Sequence, residues 1–108
     1  MADSREVRIA RYEALFRVVN ERVREVRPEE AGERLGILCE CGDDKCTDTL
    51  DLSVDEYEEV RSDPTQFVVR PGHEITSVEE PLKCTARFLV VRKHPEEASI
   101  ALDTDPRP

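Results

Sequence analysis

This sequence of 108 residues contains no tryptophan, five other aromatic residues and four glycines. Hydrophobic residues make up 38% of the chain and charged residues another 38%, so few large apolar side chains are available to fill a small domain. Chains with so thin a core gain stability from a staple such as a structural metal ion, whose binding then contributes to the folding free energy. The scarcity of glycine also argues against a glycine-rich phosphate-binding loop.

The sequence lacks an apolar run of the roughly 20 residues that a membrane-spanning helix requires. Residues 1–5 lead into a charged amphipathic stretch without the apolar region of a secretory signal. We therefore expect a soluble, cytoplasmic protein that makes no membrane contact. Because the cytoplasm keeps thiols reduced, we do not expect the four cysteines to form disulfides.

Negative charge is concentrated in one part of the chain. The formal net charge is −9, and the segment 40–63 holds ten acidic and two basic residues, which gives −8. Such a field repels phosphates, so we expect no direct nucleic-acid binding. The segment favours a basic protein partner or, alternatively, mimicry of nucleic acid in a basic groove. The simplest interpretation is a solvated face that keeps the domain soluble.

Three thiols lie within eight residues in the run C-E-C-G-D-D-K-C, residues 39–46. Clustered thiolates in a reducing compartment are usually held by a metal, and structural zinc takes four cysteine or histidine ligands at the corners of a tetrahedron. We expect Gly42 to allow a turn with positive φ beside the ion. The run therefore predicts the knuckle of a structural zinc site, with Cys39, Cys41 and Cys46 as ligands.

The fourth ligand has to come from a distant part of the chain. His73 is the preferred residue, because it follows a Pro-Gly corner at the end of a predicted strand, and Cys84 and His94 compete with it. Glu40 and Glu74, which neighbour proposed ligands, are candidates for orienting the imidazole. The alternatives are three free thiols, or an iron–sulfur cluster that includes Cys84, although the spacing differs from common ferredoxin patterns.

Residues 4–27 predict a long amphipathic helix, because apolar residues recur there at alternating spacings of three and four. These residues are Ile9, Tyr12, Phe16, Val19, Val23 and Val26. Such a seam either docks on the domain's own sheet or pairs with a helix of another molecule as a short coiled coil. Leu15 and Val18 widen the apolar stripe, which favours docking.

The rest of the chain predicts short strands and one further helix. Strands over 37–38 and 47–52 would form a hairpin with the metal loop at its tip. Ser53 and Glu56 predict a capping box at the start of a short helix. Later strands are expected over 66–70, 78–82 and 86–92, and a proline-containing flexible tail from 94. The predicted fold is α+β, with a single zinc-stabilised domain over 1–93 and a flexible tail over 94–108.

Four motifs occur in a fixed order: C-E-C-x4-C, E-Y-E-x-V-R, D-P-x-x-F and P-G-H-E, at residues 39–46, 56–61, 63–67 and 71–74. Over about residues 5–93 the chain resembles a family of small actinobacterial proteins that carry these cysteines and the Pro-Gly-His corner. The resemblance implies a metal site of three thiolates and one imidazole, at Cys39, Cys41, Cys46 and His73, with Cys84 outside it. It implies no particular activity.

A closed set of three thiolates and one imidazole leaves no open position on the ion, whereas a catalytic zinc keeps one. Common hydrolase motifs such as H-E-x-x-H and G-x-S-x-G are also absent from the sequence. We therefore expect a zinc-stabilised protein-interaction or regulatory module rather than an enzyme. Its partner would bind the acidic 40–63 face or the 4–27 helix, and the chain would be a monomer or a helix-mediated dimer. The alternative is a redox sensor in which Cys39 or Cys41 pairs with Cys46 and zinc is released.

Overall fold

The computed structural model describes residues 4–26, 34–43 and 45–107. Within these residues three helices and five strands follow one another: α1 (Arg5–Val26), β1 (Arg34–Leu38), β2 (Thr49–Ser53), α2 (Val54–Arg61), β3 (Gln66–Val69), β4 (Glu79–Cys84), β5 (Leu89–Lys93) and α3 (Pro95–Asp103). The predicted α+β class is confirmed, with its long N-terminal helix and its antiparallel sheet structure. None of the described helices combines the length and the apolar character that a membrane crossing requires.

The strands form two antiparallel sheets. β1 and β2 make a hairpin in which Leu35 lies opposite Leu52 and Ile37 opposite Leu50. All four of these leucine and isoleucine side chains are buried, and the residues between them are exposed, as the alternating pattern requires. β3, β5 and β4 form the second sheet in that order. The hairpin and α2 cover one face of this sheet, around Val68.

α2 begins where the sequence predicts it. The Ser53 hydroxyl accepts a hydrogen bond from the backbone N–H of Glu56, and the Glu56 carboxylate accepts one from the N–H of Ser53. Two otherwise unpaired backbone donors are thereby satisfied. Leu52 and Tyr57 flank this cap and are both fully buried, so the cap fixes the angle at which α2 leaves the hairpin.

The orientation of α1 differs from the expected one. Its buried face includes four polar side chains, Glu13, Arg17, Asn20 and Glu21. The apolar seam is only partly buried: Ile9 lies in the core and Phe16 and Val23 are half-buried. Three seam residues are exposed, and so are the two that widen the stripe: Tyr12, Val19 and Val26, with Leu15 and Val18. The seam therefore docks on the domain only in part, and its exposed residues lie on the outer face of α1.

The polar inner face of α1 is stable because each of its side chains has a partner, although Oε2 of Glu13 and Nε of Arg17 accept or donate no hydrogen bond. Arg17 donates hydrogen bonds to the carbonyl oxygens of Pro64 at 2.6 Å and Ala101 at 2.7 Å, and its guanidinium lies 4.7 Å from the centre of the Phe67 ring. Glu13 forms a buried ion pair with Lys93. Buried polar groups that are paired in this way avoid most of the penalty for leaving water.

Part of the expected tail is helical. Residues 95–103 form α3, which begins with Pro95 in the first turn, where proline lacks an N–H that would be unpaired in any case. Ala101 of this helix is buried. Further on, Arg107 forms ion pairs with Glu21 and, at 2.6 Å, with Glu58. The segment after residue 94 packs against α1 because Arg17 and Glu21 supply polar contacts that no local pattern reveals.

Candidate metal centre

The structure brings the four predicted ligand residues together. Cys39 and Cys41 directly follow β1, Cys46 lies in the loop before β2, and His73 follows β3. One ligand atom from each of the four lies within 4.8 Å of all the others. This group is positioned to hold a metal ion.

The spacing of the ligand atoms fits a tetrahedral ion. His73 Nδ1 lies 3.6 Å from Cys39 Sγ and 3.6 Å from Cys46 Sγ. An ion with Zn–S bonds of about 2.3 Å and Zn–N bonds of about 2.0–2.1 Å at tetrahedral angles holds a sulfur and a nitrogen about 3.6 Å apart. The observed separations therefore suit a tetrahedral metal ion and identify Nδ1 as the imidazole atom that faces the thiols.

A tight turn aims His73 at the thiols. The backbone N–H of His73 donates to the carbonyl oxygen of Arg70 at 2.8 Å, and Gly72 has a φ of 96°. Pro71 at the second position and a positive-φ residue at the third are typical of a type II turn. The sharp Pro-Gly corner predicted from the sequence is thus present, and it presents the imidazole beside the end of β1.

Gly42 serves a different purpose from the one predicted. Among the described glycines, positive φ occurs at Gly72 and not at Gly42. A Cβ atom at Gly42 would lie 2.9 Å from Cβ of Ile9 and closer still to its Cγ2. Glycine is needed here because α1 packs directly against the metal loop, rather than because the backbone takes a left-handed turn.

Hydrogen bonds around the sulfurs favour negative charge on Cys41, whereas burial raises the pKa of Cys46. The pKa of Cys41 is lowered to about 5, first because the Cys39 thiol donates to it and further because the backbone N–H of Asp43 does. The pKa of Cys39 is raised because its proton is shared with Cys41. The backbone N–H of Arg70 lies 3.2 Å from Cys39 Sγ. A thiolate held among three sulfurs attracts a cation.

Asp48 is the acid that contacts the imidazole from the outer side. Its Oδ2 lies 3.5 Å from His73 Nε2 and accepts a hydrogen bond from Arg70 at 3.1 Å. A carboxylate on the second nitrogen orients a metal-bound histidine. The sequence predicts that Glu40 or Glu74 orients the imidazole. Glu74 instead accepts a hydrogen bond from the backbone N–H of Gly72. Asp48 carries no distinguishing signal, because it is one of many acids in the segment.

Glu40 points away from the thiols and into the core. Its side chain is fully buried, and its carboxylate accepts hydrogen bonds from Arg61 at 2.8 Å, from the backbone N–H of Val68 at 3.0 Å and from Asn20 at 2.8 Å. Asn20 in turn bonds both backbone groups of Leu38. The residue between two metal ligands therefore ties the loop to α1, α2 and β3.

The competing ligands lie elsewhere. Cys84 is exposed, and its thiol donates to the carbonyl oxygen of Thr85. His94 lies near Glu96 and Glu97 at the start of α3, in a separate group from the three thiols. Because Cys84 is outside the cluster, the structure gives no support to a four-cysteine iron–sulfur site.

The acidic segment is largely neutralised by ion pairs. Six of its ten acidic residues contact an arginine, and in five of these pairs the arginine lies outside residues 40–63. A further acid, Asp44, lies outside the described residues. The pairs are Glu40–Arg61, Asp48–Arg70, Asp51–Arg34, Glu56–Arg87, Glu58–Arg107 and Asp63–Arg92. The charge of −8 counted along the sequence therefore does not form one continuous acidic surface.

Taken together, the described residues form an α+β fold with one Cys₃His group that is spaced for a tetrahedral metal ion. The arrangement comes from a hairpin loop, a turn after β3 and the buried carboxylate of Glu40. The comparisons supply no relative from which an activity can be carried over, since no protein-family model, curated protein or solved structure matches this chain.

Proposed function

We propose that this chain is a small zinc protein in which the ion is structural and the folded surface binds another protein. The observation that supports the zinc is the 3.6 Å separation of His73 Nδ1 from both Cys39 Sγ and Cys46 Sγ. Three thiolates and one imidazole fill a tetrahedron, so the bound ion has no position for a substrate. Soft sulfur donors also favour zinc over magnesium or calcium, which prefer oxygen.

Metal analysis of the untagged full chain tests the zinc site. We expect about one zinc ion per chain, and unfolding when a strong chelator removes it, because metal binding and folding are coupled. His73→Ala should lower zinc affinity sharply. The matched control is Cys84→Ser, which changes a thiol outside the cluster and should leave zinc content unchanged. Protein that folds equally well without metal, or that loses zinc in the Cys84 variant, would contradict the proposal.

The binding surface we favour is the outer face of α1. Its exposed apolar side chains form a stripe on one helix, and stripes of this kind on soluble proteins mark interaction sites. The ion pairs described above make the 40–63 segment a weaker candidate for a basic partner or for nucleic-acid mimicry. Reduced thiols are required at the metal site, which fits action in the cytoplasm.

A redox sensor is the second candidate, and the exposure of one side of the site favours it. Cys46 is half-buried and the His73 side chain is 32% exposed, while Cys39 and Cys41 are buried. A peroxide would reach Cys46 first and oxidise it to a sulfenic acid with loss of water. A neighbouring thiolate would then displace the hydroxyl group, form a disulfide and release zinc. Zinc release at micromolar peroxide under native conditions would support this function, and release only after denaturation would exclude it.

A further inference from the structure

The outer face of α1 is unusually apolar for a solvent-facing surface. The exposed fractions are 36% for Tyr12, 55% for Leu15, 46% for Val18, 39% for Val19 and 58% for Val26. The helix cannot hide this face by rotating, because its opposite face is tied to the domain. Arg17 binds carbonyl groups of the Pro64 loop and α3, and Asn20 binds Leu38 and Glu40.

The centre of the exposed face follows a heptad spacing. Residues 8, 12, 15, 19, 22 and 26 are separated alternately by four and three positions, so their side chains lie in one line along the helix. Four of these positions carry apolar or aromatic side chains, and two, 8 and 22, carry arginine. Mainly apolar lines with this period pack against a second helix of the same pattern. We name residues Tyr12, Leu15, Val19, Arg22 and Val26 the α1 stripe.

We propose that the α1 stripe binds the same stripe of a second copy of this chain, with the two helices antiparallel. This inference rests on the proposed function as an interaction module, and it specifies the partner. An antiparallel two-fold axis at the level of Arg17 places Leu15 against Val19 of the second copy. The same axis places Tyr12 against Arg22 of the second copy, where a guanidinium can stack on the ring.

Charges beside the stripe favour this direction. At 100° per residue, Glu25 and Arg11 lie on the same flank of the helix. In an antiparallel pair each flank meets the same flank of the other copy. Glu25, which contacts Arg22 of its own helix at 3.2 Å, therefore also approaches Arg11 of the second copy, once on each side of the two-fold axis. A parallel pair instead aligns the basic N-terminal turns, which contain Arg5, Arg8 and Arg11. The stripe is therefore complementary to itself in one direction.

The pairing is expected to be reversible. α1 has 22 residues, which makes it about 33 Å long and gives about three heptads. A seam of this length lies at the small end of specific interfaces. We therefore expect a dimer that dissociates at micromolar concentration, rather than one that needs its partner in order to fold.

Sedimentation equilibrium of the zinc-loaded full chain between 1 and 500 µM tests the proposal. We expect a monomer–dimer equilibrium for the natural sequence and at least about a 100-fold higher dissociation constant for Leu15→Glu, which places a charge at the centre of the contact. The matched control is Leu102→Glu, at a residue that is also exposed but lies on α3. This control should dimerise like the natural sequence.

The direction of the helices is tested by charge exchange. Glu25→Arg should weaken dimerisation, and Arg11→Glu combined with Glu25→Arg should restore it. A natural chain that is monomeric at 500 µM, or that leaves the monomeric state only by binding vesicles of anionic lipid, overturns the proposal. So does a Leu15→Glu variant that still dimerises. Zinc content measured on the same samples separates the proposed dimer from the proposed metal site. A zinc-loaded monomer contradicts only the dimer, and a zinc-free dimer contradicts only the metal site.

Discussion

Replacing Glu40 with glutamine is expected to destabilise the protein although the two side chains have nearly the same shape. The carboxylate accepts three hydrogen bonds, from Arg61, from Val68 N–H and from Asn20 Nδ2. A glutamine oxygen could retain the first two, but its amide nitrogen would then face the amide nitrogen of Asn20. Asn20 cannot flip to relieve this, because its own amide is fixed by both backbone groups of Leu38.

The size of the effect follows from what is lost. Glu40 and Arg61 have side chains that are 0% and 2% exposed, so solvent does not replace the missing charge. A hydrogen bond to a charged group contributes about 1.5–3 kcal/mol, and an unpaired buried donor costs a further 1–3 kcal/mol or so. We expect a loss of about 2.5–6 kcal/mol, which is a large part of the roughly 5–15 kcal/mol by which small domains are stable.

Urea denaturation at fixed, saturating zinc measures this loss. Glu74→Gln is the control, because Glu74 also neighbours a ligand but needs just one acceptor oxygen, for the N–H of Gly72; its effect should stay within about 0.5 kcal/mol. Asn20→Asp added to Glu40→Gln should give no recovery, because the new carboxylate oxygen would face the carbonyl oxygen of Leu38 that Asn20 Nδ2 binds in the natural protein. A Glu40→Gln protein as stable as the natural one would refute the reasoning.

Three further predictions test other contacts. Gly42→Ala should destabilise the fold and weaken zinc binding, because the added Cβ meets Ile9; thermal melts and zinc titration measure this, and unchanged values would contradict it. The pKa of Glu13 is raised by burial and by Glu79, so the stability it contributes is present below about pH 4.5 and is lost as pH rises through its folded pKa. Glu13→Gln should therefore make the loss of stability with rising pH smaller. Thermal melts of both proteins from pH 4 to 8 measure this, and the difference between their melting temperatures removes the effect of zinc release, which acts on both. Ending the chain after residue 94 should cost about 2–4 kcal/mol in urea denaturation, because buried Arg17 loses an acceptor in α3; an unchanged midpoint would show that α3 is dispensable.

Features set by neighbouring residues were predictable from the sequence. The capping box at Ser53 and Glu56, the alternating hairpin strands and the Pro-Gly corner before His73 each depend on a few adjacent side chains. The three cysteines were equally visible, because a single loop contains them. Such signals predict an element without any knowledge of which distant residues pack against it.

Features set by distant partners were not predictable in this way. Lys93, which pairs with Glu13, is 80 residues away from it along the chain, and Ala101, whose carbonyl binds Arg17, is 84 residues away. From the residues of α1 alone, its polar inner face is the one expected to face solvent, and its apolar seam is the one expected to face the core. The expected flexible tail has the same origin, since α3 is held by Arg17 and not by a strong pattern of its own.

The small number of large apolar residues in the core and the exposed apolar side chains of α1 have a common physical basis. With few large apolar residues, the domain fills part of its interior with paired polar side chains, and these need fixed positions to avoid unpaired buried charge. Glu40 provides such a position, because its neighbours Cys39 and Cys41 are placed to bind the metal while its carboxylate holds Asn20 of α1 and Arg61 of α2. Apolar residues that the interior does not use remain on the outer face of α1. A loop that is placed to hold a metal ion and is tied to a polar core thus leaves an apolar surface exposed on α1.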